Sequence, residues 1–298
     1  MSPPTAIDPP QQGTEEEQPT NHIPHEPGIS KHQASKKLSI TAAIPQFSSK
    51  HEEREYLKGR LAAALRIFGK LGFEEGVAGH ITVRDPVEPT TFWVNPFGLA
   101  FRLMRRSDLI RVNGAGEVID GGGNEHRLLN TAAYMIHHAV HTARPDVVCA
   151  AHSHSLYGRA FCTLGLGLDM ITQDACAFHN DLARYEAFNG VVLAEQEGKD
   201  IAACLGGKKA ALLQNHGLLT VGHSVEEAVF WFMSLEKCCH AQLLADAAAA
   251  GRGRSTVKID DEDAAFTYQT VGTHVAGWFS AKPEFDVIMR EHGEEILS

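Results

Sequence analysis

The sequence lacks several features that would place it in a broad class of protein. Its 298 residues contain no run of 18 apolar residues, and no charged segment followed by an apolar one opens the chain, so membrane spanning and secretion are not indicated. Basic residues are scarce: 27 Lys and Arg against 37 Asp and Glu give a net charge of -10, without a basic cluster for phosphate binding. The six cysteines lack the spacing of a disulfide framework or a zinc ribbon. We therefore predict a cytoplasmic protein that binds neither nucleic acid nor membrane.

Composition divides the chain into a polar beginning, a long middle and a helical end. Residues 1–45 are rich in Pro, Gln, Glu and Thr and cannot bury enough apolar surface to offset the entropy of ordering, which predicts a disordered tail. Residues 46–250 alternate amphipathic helical segments with short apolar strands, which predicts one domain. Residues 251–298 are predicted to form a helical extension.

Three histidines follow apolar strands at places where a strand ends. The segment "VVCAAHSH" places His152 and His154 on one face of a strand, with Ser153 opposite, because side chains alternate along extended backbone. His216 ends a second apolar strand, and Gly217 after it would let the backbone approach closely. Three imidazoles with further positions open are typical of a catalytic divalent metal site. On spacing alone, ordinary core or surface histidines stay an equal alternative.

A second set of histidines lies on the helical segment before Pro145. His137 and His141 are separated by four residues, which permits a shared ligand. We prefer the interpretation that they occupy an exposed helix face.

The segments "RPDVVCAAHSHSLYGRAFCTLG", "LLQNHGLLTVG" and "VAGHITVRDP", with "NPFG", resemble the class II aldolase and adducin superfamily over about residues 50–250. The resemblance implies an α/β fold of three layers, with helices on both faces of a central, mostly antiparallel sheet. It implies a divalent metal ion, typically zinc, held by His152, His154 and His216. It also implies a homotetramer with active sites at subunit interfaces.

The sequence departs from the sugar-phosphate aldolases of this family where their acid/base residue lies. Those enzymes carry a Ser-Ser-Glu stretch in the helix before the Arg-Pro-Asp motif, and the matching positions here are Thr131, Ala132 and Ala133. The catalytic carboxylate is therefore missing. Glu125 is a possible substitute, although a role at the start of a helix is the preferred interpretation.

The turns that bind phosphate in those aldolases are also changed. They correspond here to Gly79–Thr82, with His80 within the turn, and to Asn95–Gly98, with Phe97 within the turn. An imidazole and a phenyl ring replace polar donors that suit a phosphate dianion, so we predict a non-phosphorylated substrate. Asn95, Phe97 and Thr131 are the predicted substrate-binding residues, with core packing as the alternative for Phe97 and for Trp93.

A three-histidine metal site suits reactions that pass through an enolate-like intermediate, because the ion polarises carbonyl oxygens. The predicted function is accordingly a metal-dependent lyase that performs aldol cleavage or decarboxylation on a small carbonyl compound or hydroxy or keto acid, in secondary metabolism. A proton-transferring residue is still needed, and the segment "ITQDACAFHND" is the first place to search for one. The predicted catalytic residues are His80, Gln173, Asp174 and His179.

Two other functions stay open from the sequence. Relatives in aminocoumarin pathways, which resemble this branch of the family, have been regarded as non-haem iron oxygenases, and Fe²⁺ would fit the same three ligands. Adducin head domains use this fold as a non-catalytic interaction module.

Overall fold

Helices and strands alternate through the part of the chain that this computed structural model describes, which comprises residues 44–123, 127–188, 190 and 195–298. All but the last two residues of the predicted disordered tail, and Glu125, lie outside it. The helices are α1 (Lys50–Leu71), α2 (Thr131–Ala143), α3 (Leu156–Cys162), α4 (Glu195–Leu205), α5 (Val225–Ala250), α6 (Asp261–Val271) and α7 (His274–Ile296). The strands are β1 (His80–Arg84), β2 (Phe92–Val94), β3 (Ile110–Val112), β4 (Val118–Gly121), β5 (Cys149–Ser153), β6 (Leu182–Tyr185), β7 (Ala210–Leu213) and β8 (Gly217–Gly222).

The long helices begin and end at residues suited to those positions. Ser49 accepts a hydrogen bond from the backbone N–H of Glu52 at the start of α1, and Gly72 ends that helix at φ 76°. Ser224 accepts the backbone N–H of Glu227 at the start of α5, as the Ser-x-x-Glu pattern predicts.

The described strands form one sheet in the order β4-β3-β2-β1-β5-β8-β7-β6. Every neighbouring pair is antiparallel except β6 and β7, which are parallel. The predicted mixed α/β fold with a mostly antiparallel sheet is therefore confirmed.

Helices cover both faces of the sheet, and alternate residues of the central strand β5 contribute to separate cores. On one face, Cys149 and Ala151 of β5 join a large cluster with residues of α1, α5 and α7. On the other, Ala150 joins a smaller cluster with residues of α2 and α4. The two cores explain why Cys149, Ala150 and Ala151 of β5 are all apolar.

The C-terminal helices share the larger core. Phe285 and Ile288 of α7 pack in the same cluster as Leu61 of α1 and Phe232 of α5. The predicted boundary after residue 250 remains a prediction. Within the described ranges, no helix combines the length and the apolarity that crossing a membrane requires.

Candidate metal centre

Two parts of the chain bring three imidazoles together where central strands of the sheet end. Strand β5 pairs with β8 so that Ser153 lies opposite Leu218, and β8 pairs with β7 through a tight turn that contains His216. One ring nitrogen from each of His152, His154 and His216 lies within 4.8 Å of the other two. The predicted trio is therefore one spatial cluster, which we call the central cluster.

The turn that carries His216 has an unusual backbone. Asn215 lies at φ 56°, in the left-handed region that asparagine tolerates better than most residues. A Cβ atom on Gly217 would lie 2.5 Å from the carbonyl oxygen of Ser153. The close backbone approach expected at Gly217 is thus confirmed, and it sets the distance between the two histidine-bearing segments.

A hydrogen bond to the backbone shows which ring nitrogen of His152 carries the proton. Its Nδ1 lies 2.8 Å from the carbonyl oxygen of Leu218, which can only accept, so Nδ1 carries the proton and donates. The other ring nitrogen, Nε2, is buried and has no hydrogen-bond partner. A buried lone pair without a partner is costly unless something binds it.

Burial also keeps the cluster neutral. Loss of hydration lowers the pKa of His152 well below its usual range, lowers that of His154, and lowers that of His216 to about 4. Neutral imidazoles offer lone pairs to a cation, and metal-bound histidines commonly donate their second ring nitrogen to a carbonyl group, as His152 does. The residues present therefore fit a divalent ion with further positions open.

A buried carboxylate holds the chain that follows His154. Glu236 of α5 accepts the Ser155 hydroxyl at 2.5 Å and the backbone N–H groups of Tyr157 and Gly158 at 2.8 and 2.6 Å. These bonds secure the start of α3, directly after the second histidine. This role of Glu236 was not predicted from the sequence.

The central cluster borders a cavity of about 850 Å³, a size that suits a small-molecule ligand. Apolar side chains dominate its lining, and polar atoms come mainly from the histidines, two asparagines, one threonine and one arginine. The lining residues are Val77, Ala78, Gly79, His80, Phe97, Asn130, Ala132, Ile136, His152, His154, Leu156, Arg159, Ala160, Thr163, Phe188, Gly190, Asn215 and His216.

His80 is the predicted catalytic residue that the structure places beside the central cluster. It lies directly across from His152 in the pairing of β1 with β5, and the two ring centroids are 5.1 Å apart. Both of its ring nitrogens are buried without a hydrogen-bond partner. Burial lowers its pKa well below the usual range, so the ring is neutral.

Two further histidines, His137 and His141, lie behind His80, deeper in the protein. The rings of His80 and His137 have centroids 4.7 Å apart. The Thr82 hydroxyl lies 2.6 Å from Nδ1 of His137 and 2.8 Å from Nε2 of His141. We call His80, His137, Thr82 and His141 the buried column.

The expectation that His137 and His141 occupy an exposed helix face is wrong. Both are buried, because α2 turns this face onto β1. Ile136 and Val140 form a buried apolar stripe on α2, and each histidine follows one of these residues in the sequence. That adjacency was the available signal in the sequence.

One of the three predicted substrate-binding residues lines the cavity, and two do not. Phe97 lines the cavity and is partly exposed, whereas the Asn95 amide oxygen accepts the backbone N–H of Ile81 at 3.3 Å. Thr131 is exposed at the start of α2, and neither it nor Asn95 is among the described lining residues. Trp93 packs in the core, so of the two aromatic residues only Phe97 reaches the cavity.

The other predicted catalytic residues lie elsewhere. Gln173, Asp174 and His179 flank a short 3₁₀ helix that packs against α6, and Nε2 of His179 lies 3.5 Å from Oδ1 of Asp261. None of the three is among the described residues that line the cavity. The segment is polar because it lies at the surface of another part of the fold, and a catalytic role for it stays a prediction without geometric support.

Fold and cavity together define a class: an α/β protein with a cluster of three imidazoles at the wall of a small-molecule cavity. Residues 59–243 match the family described as the class II aldolase and adducin N-terminal domain. This chain belongs to that family. Its members are typically oligomeric, bind small molecules and generally depend on a divalent metal ion.

The names of three similar proteins refer to more than one class of reaction. A 4-hydroxy-3-prenylphenylpyruvate oxygenase/4-hydroxy-3-prenylbenzoate synthase of Streptomyces roseochromogenus subsp. oscitans is 46% identical over 241 residues, which cover 80% of this chain and 84% of that protein. Decarboxylase NovR of Streptomyces niveus is also 46% identical over 241 residues, covering 80% and 86%. The structure of an L-fuculose 1-phosphate aldolase from Glaciozyma antarctica PI12 has 51% identity and a TM-score of 0.78, covering 85% of this chain and 96% of that one.

These relatives and the family point to an enzyme of lyase type. Their names do not agree on a substrate, so substrate and reaction are questions for the site itself.

Proposed function

We propose that this chain is a metal-dependent lyase whose divalent ion, most simply Zn²⁺, is held by His152, His154 and His216. The observation that carries the proposal is the convergence of the three ring nitrogens within 4.8 Å, one of them buried without a partner, at the wall of a cavity of about 850 Å³. When bound, the ion would supply Lewis acidity to a carbonyl or carboxylate oxygen of the substrate.

The cavity wall supports a non-phosphorylated substrate. Arg159 is the sole arginine or lysine among the described lining residues, and its Nη1 lies 3.2 Å from a carboxylate oxygen of Glu75. A phosphate dianion requires several strong donors, whereas a single carboxylate and an apolar substituent suit one arginine and the side chains of Phe97, Leu156 and Phe188.

The class of substrate can be defined by the position of the bond that is cleaved. A bond is cleaved readily when it lies one carbon beyond a carbonyl group, because the electrons left behind are delocalised onto that oxygen. A 4-hydroxy-2-keto acid, cleaved by retro-aldol reaction, and a 3-keto acid, cleaved by decarboxylation, both meet this condition. We propose these as the two substrate types.

His80 is the residue of this chain that we propose for proton transfer in the cavity. It lines the cavity, lies beside His152, and has ring nitrogens that no described group occupies. A neutral imidazole can accept a proton from a substrate hydroxyl group in retro-aldol cleavage or return one to the carbon that loses its bond. This role would replace the carboxylate missing at Ala133.

One alternative has a specific observation in its favour. The relative named as an oxygenase and synthase shares 46% identity with this chain, and three neutral imidazoles with open positions also suit Fe²⁺. Oxygen consumption that depends on iron would mark that function.

The test is an assay of the full chain reconstituted with Zn²⁺ or with Fe²⁺, with and without oxygen. Three substrate types are offered: non-phosphorylated 4-hydroxy-2-keto and 3-keto acids, L-fuculose 1-phosphate, and 4-hydroxy-3-prenylphenylpyruvate. We expect oxygen-independent cleavage of the first type with Zn²⁺. Turnover of the sugar phosphate alone would overturn the substrate class, and iron-dependent oxygen uptake would overturn the lyase reaction.

A non-catalytic, adducin-like module is the remaining outcome. It would be indicated if no substrate is turned over and if His154→Ala changes neither the metal content nor the biological role of the chain.

Three further properties belong to the same proposal. We infer a homotetramer with active sites between subunits, a cytoplasmic location and a place in secondary metabolism. The exposed Leu156 and Phe188 at the cavity support subunit contact there, because large apolar groups at a surface favour association. Sedimentation of the purified chain measures its oligomeric state.

A further inference from the structure

A second group of metal-ligating side chains lies away from the cavity, where the starts of α5 and α7 meet. One ring nitrogen from each of His223 and His274 and one carboxylate oxygen of Glu227 lie within 4.8 Å of one another. We call these three residues the peripheral cluster. None of them lines the cavity of the central cluster.

Glu227 is a buried carboxylate whose only ion-pair partner among the described residues is His274. Its oxygens accept three hydrogen bonds: from the His223 backbone N–H at 2.7 Å, from Nε1 of Trp231 at 3.0 Å and from Nδ1 of His274 at 2.6 Å. Three donors hold the carboxylate in one orientation.

Nearby carboxylates already have permanent cations. Glu226 lies 2.7 Å from Nε of Arg60, and Asp146 lies 2.6 Å from Nη2 of Arg144. Asp181 lies 3.3 Å from Nζ of Lys209. Glu227 differs from all three, because its ion-pair partner among the described residues is an imidazole, a group that can also bind a metal ion.

The two imidazoles are in contact with each other beside this carboxylate. Their rings stack with centroids 3.8 Å apart and planes inclined by 23°, and both side chains are partly exposed. The lone pairs of stacked rings point in nearly parallel directions, so at least one of these exposed rings has to rotate for both to bind one ion.

We propose that His223, Glu227 and His274 form a second site for a divalent ion of the Zn²⁺ type, separate from the central cluster. Two imidazoles and one carboxylate are a ligand set that zinc accepts, with water in the fourth position. The ion would replace the proton shared by His274 and Glu227 and would connect the start of α5 to the start of α7. Its role would be to hold the C-terminal helices on the domain.

The positive ends of two helices oppose a cation at this place. His223 directly precedes the N-cap Ser224 of α5, and His274 is the first residue of α7. The Glu227 carboxylate has to offset both helix dipoles. We therefore expect weaker zinc binding here than at the central cluster.

The experiment counts zinc ions bound to the full chain after treatment with a chelator, by calorimetric titration with Zn²⁺. We expect two equivalents for the unchanged chain, one for His274→Gln and two for His292→Gln, an exposed control on the same helix. Histidines in residues 1–43 are present in all three proteins, so the difference between the variants reports the peripheral cluster.

A second background separates this site from the proposed active site. The His152→Ala/His154→Ala chain should keep one zinc equivalent and show a higher melting temperature with Zn²⁺ than without it. Adding His274→Gln should weaken that binding at least about tenfold and remove the shift. The inference is overturned if His274→Gln leaves both the number and the affinity of bound zinc ions unchanged.

The two proposals can fail separately. If the unchanged chain binds one equivalent that His274→Gln removes, the peripheral site stands and the central metal site falls. If it binds one equivalent that His154→Ala removes and His274→Gln does not, the peripheral cluster is an ion pair only.

Discussion

The central and peripheral clusters each bring ligand atoms within 4.8 Å, yet their surroundings differ. The central histidines lie within a sheet strand, directly after it or in a turn between strands, and His152 is buried with one nitrogen unpartnered. The peripheral histidines lie at helix starts, and their side chains are partly exposed. They lie beside a buried carboxylate that already accepts three hydrogen bonds. The central cluster borders a cavity of about 850 Å³, whereas the peripheral cluster borders one of about 320 Å³.

These surroundings suggest different uses for similar ligands. Neutral imidazoles beside the larger cavity leave coordination positions that a substrate can reach, whereas the peripheral cluster joins two helix starts beside a smaller cavity. We therefore propose a division of roles between the two clusters, with chemistry at the first and helix attachment at the second.

The largest expected effect comes from His154→Ala. Loss of one of the three proposed ligands should remove the metal ion from the central cluster and lower turnover by ~10³-fold, because the proposed ion would supply several kcal/mol of transition-state stabilisation. Metal content and turnover are measured together. His274→Gln should leave turnover unchanged, and an equal loss in both variants would contradict the division.

His80→Gln should lower turnover by about 10²-fold while the central metal ion stays bound, because the substitution removes the proposed proton-transferring group and no ligand. Metal analysis of the same sample provides the check. His138→Gln on α2, which lies outside the cavity, is the matched control. Loss of metal in His80→Gln would make its role structural.

The buried column predicts acid sensitivity behind the central cluster. Burial first, and then Arg84, lower the pKa of His141 from 6.5 to about 3, while Thr82 and His138 also face it. Below pH 6.5 the unfolded chain binds a proton that the folded chain does not, so stability falls as the pH falls towards 3. Each such group contributes about 1.4 kcal/mol per pH unit in this interval.

Urea unfolding of His141→Gln at several pH values measures this contribution. Between pH 6 and 4, its unfolding free energy should fall less steeply than that of the unchanged chain. His292→Gln, whose histidine is exposed, should follow the unchanged chain. Parallel curves for His141→Gln would show that His141 is protonated in the folded protein.

The smallest expected effect concerns the start of α5. Ser224→Ala removes the hydroxyl that accepts the backbone N–H of Glu227, which should destabilise the fold by ~1 kcal/mol. Thermal melting with and without Zn²⁺ should show a reduced zinc effect in the His152→Ala/His154→Ala background. Turnover in the otherwise unchanged chain should stay the same, because Ser224 is remote from the cavity.

Local patterns were sufficient for much of the fold and for part of the site. The cap at Ser224, the end of α1 at Gly72 and the shared face of His152 and His154 each depend on residues within a few positions of one another. The family resemblance added the sheet and linked His216 to the other two histidines. Such features are predictable because backbone geometry repeats over short distances.

Other parts of the site required the packing of distant segments. The pairing of β1 with β5 puts His80 across from His152, and the packing of α2 onto β1 buries His137 and His141 around Thr82. The predicted catalytic segment with Gln173, Asp174 and His179 does not line the cavity of the central cluster, for the same reason. A polar sequence shows that a segment is solvated, but it does not show which face of the fold the segment reaches.

The peripheral cluster shows most directly the difference between what local sequence and what tertiary packing determine. Sequence marks His223 as the residue before a capped helix and gives no reason to connect it with His274. Their rings stack only because α7 packs along α5 and shares its core. Short-range geometry thus specified the helices and strands, whereas burial of apolar faces between distant elements specified which histidines meet.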